Sequence, residues 1–291
     1  MEIRVLRYFL AVAREENITK AAEVLHITQP TLSRQLAMLE EETGVKLFKR
    51  SYHKIVLTEE GVLLRQRAQE IVDLADRTLE DLLIQDNEIE GQIIVGAGAL
   101  KAMDIMAKLM ETFRKQYPKV TFNIVTGTAD DITERMDRGT IDISVVLEPV
   151  DKTQYDYIEL DEEPYCVLMK VGDPLADEDF VTREDLLKRS LILPLRLNIR
   201  SQLYHWFQMD HNEVNVHYHG NLSENSVYLV ENTDSLLLMS EGSLPYIDNR
   251  LFKKMPINPP MSSQAIVVWR QEASYSKPVQ RFIEFLKDEL L

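Results

Sequence analysis

The 291-residue chain predicts three successive parts: a small, mainly helical head closed by a basic hairpin, one long linker helix, and a larger α/β domain in two lobes. Three observations carry this. Helical spacing of apolar residues, broken by a Thr-Gln-Pro turn, fills residues 18–43. From Glu59 to about Asn87 the helical pattern contains no proline and, after Gly61, no glycine. Beyond Glu90-Gly91 apolar strands alternate with amphipathic helices, the order of a mostly parallel sheet covered by helices. The expected boundaries are 1–58 for the head, 59–89 for the linker and 90–291 for the α/β domain. Lobe one takes 90–161 and 265–291, and lobe two takes 162–264.

The head begins with a helix over Glu2 to Glu15, with Leu6, Phe9, Leu10 and Ala13 facing its core. Ala21, Ala22 and Leu25 give the next helix an apolar face. Thr28 stands where an N-cap is needed, and Pro30 falls in the first turn of a third helix, where a missing N–H does little harm. Leu32, Leu36 and Leu39 recur at helical spacing and face inward. Gln29, Thr31, Ser33 and Arg34 are left pointing outward, a cluster of donors and acceptors at a helix start. By spacing alone this is either the solvated face of a helical hairpin or a helix whose N-terminal end reads base edges in a major groove. Phe48 to Leu57 reads as a hairpin with Lys49, Arg50, Ser51, Tyr52, His53 and Lys54 at its tip.

Charge separates the parts. The formal net charge is −15, yet residues 1–60 hold nine Lys/Arg and nine Asp/Glu, so the excess acid lies beyond the head. Thr28 to Lys54 carries a local balance of +2, concentrated in Lys46, Lys49, Arg50 and Lys54. Contact with a polyanion must therefore be local, and non-specific binding weak. The single cysteine, Cys166, excludes an intramolecular disulfide; its apolar neighbours point to a buried strand residue, and a thiol sensor is the sharper alternative. There is no stretch of 18 apolar residues and no cleavable signal, so no membrane association and a cytoplasmic location are expected.

The ladder Ala21-Ala22, Thr28-Gln29-Pro30, Ser33-Arg34, Leu39-Glu40 and Gly44 to Arg50, followed by Leu57, Thr58 and Gly61, closely resembles the N-terminal winged helix-turn-helix of LysR-type transcriptional regulators. The match covers roughly the first 60 residues. The resemblance implies sequence-specific binding of a double-stranded DNA operator by Thr28, Gln29, Pro30, Thr31, Ser33 and Arg34, with Arg50 and Lys54 gripping the backbone from the wing. It implies a linker helix that pairs with its equivalent in a homodimer, often within a homotetramer, and contact with RNA polymerase where the regulator activates. It also implies a two-lobe, periplasmic-binding-protein-like effector domain that binds a small metabolite between its lobes and is not an enzyme.

Along the linker, Leu64, Ala68, Ile71, Ala75, Thr78 and Leu82 alternate steps of four and three, a coiled-coil seam that a second copy would cover; packing back on its own head is the alternative. The α/β pattern then runs strand Gln92 to Ala97, helix Lys101 to Tyr117 (Met103, Met106, Ala107, Met110 and Phe113 inward), strand Lys119 to Thr126, helix Asp130 to Arg138 and strand Ile141 to Leu147. A second set starts near Pro164, with a helix expected over Ser201 to Met209 and an irregular proline-rich passage over Met255 to Ser263. A last strand, Ala265 to Arg270, and a last helix, Pro278 to Leu290, close the chain. The lobes are expected to exchange the chain near Asp161 to Pro164 and near Ser262 to Gln264.

Ligands of open α/β sheets bind beyond the carboxyl ends of strands, at helix N-termini. Three such places stand out: Ala99, Leu100 and Lys101; Thr126 and Thr128; and Asn198, Arg200 and Ser201, where Arg200 can hold a carboxylate. Together they favour an organic anion as effector. Gly96-Ala97-Gly98 is only a fragment of a dinucleotide fingerprint. His205, His211, His217 and His219 lack the spacing of a metal site, and no cofactor is called for. An enzyme or solute carrier on the two-lobe domain is the competing class, but the chain has no nucleophile elbow, phosphate loop or metal motif. A DNA-binding protein without an effector is the third reading.

Overall fold

The computed structural model describes residues 1–51, 54–83, 89–271 and 273–291. It divides into two units, Met1–Asp86 and Asn87–Leu291.

The first unit packs α1 (Ile3–Glu15), α2 (Ile18–Val24) and α3 (Gln29–Thr43) around Leu6, Phe9, Val12, Ala21, Ala22, Leu32, Leu36 and Leu39. Inward residues of α1 are Val5, Leu6, Phe9, Ala11 and Val12; Leu10 and Ala13, expected inside, are only partly covered. Gly44 ends α3 with φ +71°, a left-handed conformation that a side chain would strain. An antiparallel hairpin follows, β1 (Phe48–Ser51) and β2 (Lys54–Leu57), with Phe48 opposite Leu57. Glu40 ties α3 to it: its Oε1 accepts the amides of Leu47 (2.8 Å) and Phe48 (3.3 Å), while Oε2 pairs with Lys46 Nζ. Burial would raise the Glu40 carboxyl, but Lys46 and the two amides outweigh it and the net shift is downward.

The long helix α4 (Glu59–Leu83) starts on Thr58, whose Oγ1 accepts the Gly61 amide (3.0 Å) and donates to Lys46 O (2.7 Å). Its expected seam is divided between two faces. Leu64, Ala68 and Val72 pack into the head's own core, and Arg7 pairs with Asp76 through two contacts. Leu63, Ile71 and Leu74 form a separate exposed stripe. Steps of four and three do not distinguish a neighbouring helix of the same chain from one of a second copy, and here α1 covers the first part. Leu82 lies outside the residues whose side chains are described.

In the second unit, lobe one sets β3 (Gly91–Ala97), α5 (Ala102–Gln116), β4 (Val120–Thr126), α6 (Ala129–Asp137) and β5 (Ile143–Leu147) in order. β3 pairs in parallel with both β4 and β5. β6 (Tyr155–Lys170) then runs 16 residues through both lobes as one strand. Lobe two continues with β7 (Val181–Thr182), α7 (Arg183–Leu187), β8 (Leu191–Pro194), α8 (Leu197–Phe207), β9 (Val216–Gly220), α9 (Ser223–Asn232), β10 (Leu236–Ser240) and β11 (Phe252–Asn258). β12 (Ser262–Arg270) returns to lobe one, and α10 (Lys277–Leu290) covers it. Strand order is β4-β3-β5-β12-β6-β10-β8-β9, with β11 on the far side of β6.

The sheet is thus mixed rather than mostly parallel: β6 pairs antiparallel with β12, β10 and β11. Residues 155–164 were not expected as strand because Asp156, Glu159, Asp161, Glu162 and Glu163 give them poor strand propensity. The passage expected to be irregular contains β11. Pro256 sits in it opposite Cys166, at a position where β7 has not yet begun to pair, so no ladder donor is missed on that side. α8 begins four residues earlier than expected, at Leu197. On α5, Met106, Met110 and Phe113 are buried but Ala107 is exposed.

Candidate functional sites

The outward start of α3 is built by local hydrogen bonds. Thr28 caps the helix, accepting the Thr31 amide (3.4 Å), and its Oγ1 lies 2.8 Å from Thr31 Oγ1. Gln29 Nε2 donates to Ser33 Oγ (2.8 Å). Thr28, Gln29, Pro30, Thr31 and Arg34 are exposed and Ser33 half-buried. Arg34 has no hydrogen-bond or ion-pair partner among the described residues. On the hairpin, Lys54 Nζ pairs with Glu16 (2.6 Å), an exposed contact of small energetic weight that a phosphate could replace. The side chain of Arg50, with Tyr52 and His53, lies outside the described residues.

Within the second unit a cleft lies between the lobes, with about 130 Å3 of space for water-sized groups. Lobe one contributes Ala99, Leu100 and Thr128, and lobe two Tyr165, Arg196 and Ser223. Arg196, which the sequence reading did not single out, holds the lobes together. Its Nε donates to Asp130 Oδ1 (3.0 Å), Nη1 to Leu147 O (3.2 Å) and Nη2 to Pro149 O (2.7 Å), all in lobe one. A run reading Pro-Leu-Arg-Leu-Asn before a helix offered only an N-cap position, and its cross-lobe partners are remote in sequence.

At the lobe-one places expected to receive an anion, two of the polar groups already have partners within the chain. The first-turn amide of α5, Ala102, donates to Glu163 Oε1 (3.0 Å), and Glu163 is buried. Lys101 is exposed and outside the cleft lining. Thr128 lines the cleft, but its hydroxyl is engaged with Asp131 in a reciprocal cap of α6. Thr126 is exposed and does not line the cleft. In lobe two Asn198, Arg200 and Ser201 all lie inside α8 rather than before it, and none lines this cleft. By contrast, α8 and α9 begin at the cleft wall with no side-chain cap on their first turns.

Burial pushes the Cys166 thiol up to about 12, so it is neutral and inert at physiological pH. His217 Nδ1 lies 2.9 Å from Ser190 Oγ. Burial, with nearby Arg200, lowers the His219 imidazole. No three His, Cys, Asp or Glu side chains converge on a metal position among the described residues, nor is any helix there long and apolar enough to cross a membrane.

A helix-turn-helix unit with an exposed third helix, followed in the chain by a two-lobe domain with a cleft, is the make-up of a DNA-binding regulator. Family comparison is specific on both counts. The model "Bacterial regulatory helix-turn-helix protein, lysR family" matches residues 3–62, and "LysR substrate binding domain" matches residues 86–291. The chain is 30% identical to the HTH-type transcriptional regulator BsdA of Bacillus subtilis (strain 168), over 98% of this chain and 99% of that one. It is 34% identical to the Hca operon transcriptional activator HcaR of Escherichia coli (strain K12), over 64% of this chain and 62% of that one. Among solved structures, CbnR, a LysR family transcriptional regulator, shares the fold over the full length of both chains, with a TM-score of 0.77 at 21% identity. CbnR complexed with its target DNA gives 0.76 at 20% identity, over 99% of each chain. The chain belongs to the LysR family: it is a DNA-binding transcriptional regulator with an effector-binding domain, and its relatives are regulators rather than enzymes.

Proposed function

We propose that the chain acts in the cytoplasm as a homodimer, within a homotetramer, that reads a partly palindromic operator through paired α3 helices. Thr28, Gln29, Pro30, Thr31, Ser33 and Arg34 contact base edges and nearby phosphates, and Arg50 and Lys54 hold the backbone. The observation that carries this is the exposed start of α3, where Arg34 has no hydrogen-bond or ion-pair partner among the described residues and can fork onto a guanine. The exposed stripe Leu63, Ile71 and Leu74 of α4 is the surface that a second copy covers. Contact with RNA polymerase follows where the regulator activates.

The effector is a small organic anion bound in the inter-lobe cleft. Support comes from the two uncapped helix starts at its lobe-two wall and from Arg196 among its lining. Of the residues expected from sequence, Ala99, Leu100 and Thr128 line this cleft, whereas Lys101, Thr126, Asn198, Arg200 and Ser201 do not. Effector and operator affinity are then coupled reciprocally.

The test is selection of bound fragments from sheared genomic DNA, then footprinting at stated salt. Protection across several helical turns with a dyad is the expected result. A folded, oligomeric sample that enriches no fragment would overturn it.

A further inference from the structure

A second and larger cavity, of about 710 Å3, lies beside the returning strand β12. It is lined by Arg183 at the start of α7, by Ser201, Gln202, His205 and Trp206 of α8, by Ser262 to Gln264 of β12, and by Glu148 of lobe one. None of these residues lines the inter-lobe cleft.

Four buried side-chain atoms lack a hydrogen-bond partner among the described residues, Glu148 Oε1, Glu163 Oε2, Arg183 Nε and Arg200 Nε, and of the two arginines Arg183 is the one that lines this cavity. Its guanidinium stands over the Trp206 ring, 5.1 Å from the centroid, and its Nε is buried with no hydrogen-bond partner among the described residues. A buried donor left unmade carries an uncompensated desolvation penalty, so such a group in a native fold asks for an acceptor. Elsewhere in this unit the guanidinium groups of Arg189 and Arg196 are satisfied by carboxylates or carbonyls. Trp206 is itself anchored, its Nε1 donating to Pro259 O at 2.9 Å. Among the described lining residues the one carboxylate, Glu148, has its Oε1 2.5 Å from Lys152 Nζ in an ion pair. Glu148 therefore adds little net charge to the cavity. What remains is one positioned cation beside hydroxyl, amide and imidazole groups.

We propose that this cavity is a second ligand site, selective for a small carboxylate. The carboxylate pairs with Arg183, and the ligand's polar remainder meets Ser201, Gln202 and His205. Ser201 thus belongs to this site and not to the cleft. Because Glu148 comes from lobe one and α8 from lobe two, an occupant touches both lobes through residues other than those lining the cleft. A site of this placement favours one lobe arrangement over another without competing for the cleft.

The chain has two tryptophans, Trp206 and Trp269, and no tryptophan lines the cleft. Full-length protein labelled with 5-fluorotryptophan therefore gives two 19F resonances, assigned with W206F and W269F. The probe is acetate, titrated at constant ionic strength against chloride. The expected result is a saturable shift of the Trp206 resonance with Trp269 unmoved, and a dissociation constant raised about tenfold or more in R183Q. An unshifted Trp269 resonance in R183Q certifies that the variant is folded. R183K, which keeps the charge but not the fork, falls between the two. A Trp206 resonance that acetate does not move, one that moves equally in R183Q, or a shift shared by both resonances overturns the site. None of these outcomes depends on operator binding or on the cleft, so they leave the proposed regulation to its own test.

Discussion

Glu163 Oε1 accepts the Ala102 amide at 3.0 Å, so a carboxylate of the strand shared by both lobes caps a helix of lobe one. Gly242 of lobe two closes over this contact: a Cβ there would stand 2.1 Å from Lys101 N and 2.6 Å from Glu163 Oε2. The chain's own acid thus occupies the helix start that the sequence offered to a ligand. Glu163→Ala should leave a buried amide unpaired and cost about 1–3 kcal/mol, whereas Glu163→Gln keeps an acceptor and should cost less. Urea unfolding of the two variants decides it; equal losses would mean that the contact contributes through packing alone.

Gly61 meets the head at backbone distance. A Cβ would lie 2.2 Å from Leu47 O, and a carbonyl cannot swing aside as a side chain can. Gly61→Ala should destabilise the head by about 1–3 kcal/mol despite alanine's better helix propensity. Calorimetry should show the head's unfolding displaced to lower temperature. A stabilised variant would show that α4 docks less tightly than this.

For Arg34→Ala the expectation is loss of operator discrimination with the oligomer intact, at a cost of about 1–3 kcal/mol per half-site. Competition between operator and scrambled DNA, alongside sedimentation, reads both. Wild-type discrimination in the variant would remove Arg34 from the reading surface.

Arg196→Gln removes the cross-lobe fork onto Leu147 O and Pro149 O. The Asp130 contact is largely exposed on the carboxylate side and should add little. We expect a loss of about 1–3 kcal/mol and a larger radius of gyration by solution scattering. Unchanged scattering would show that other contacts hold the lobes.

Cys166 provides a check in pH. Its folded thiol is pushed up to about 12 by burial, so the unfolded chain ionises first as pH rises. The contribution to stability is full below the ordinary thiol range, near 8.5, and is lost as pH climbs from there toward 12. Cys166→Ser should abolish that increment of alkaline sensitivity, and native protein should resist iodoacetamide at neutral pH. Rapid alkylation of the folded chain would revive the thiol-sensor reading.

Much of the head was legible because its signals are local. Thr28 as cap, Pro30 in the first turn, and inward Leu32, Leu36 and Leu39 follow from spacing and chemistry within one helix. The roles of Glu40 and Gly61 were visible only as parts of a motif. Their reasons, the Leu47 and Phe48 amides and the Leu47 carbonyl, lie across a turn that periodicity does not describe. The acidic half of β6 and the proline-bearing β11 were hidden because pairing with β12 and with the other half of β6, respectively, overrides weak strand propensity.

The linear order of residues by itself determined the sequence of elements, the helix caps of the head, the division of charge, and membership of a family whose motif is local. Only the tertiary structure decided which helix starts are open. Glu163 fills one from 61 residues away, Thr128 and Asp131 close another, and Arg196 reaches carbonyls 47 and 49 residues distant. Hydrogen bonds are directional and satisfied one partner at a time, so the availability of a group depends on what the fold has already brought to it.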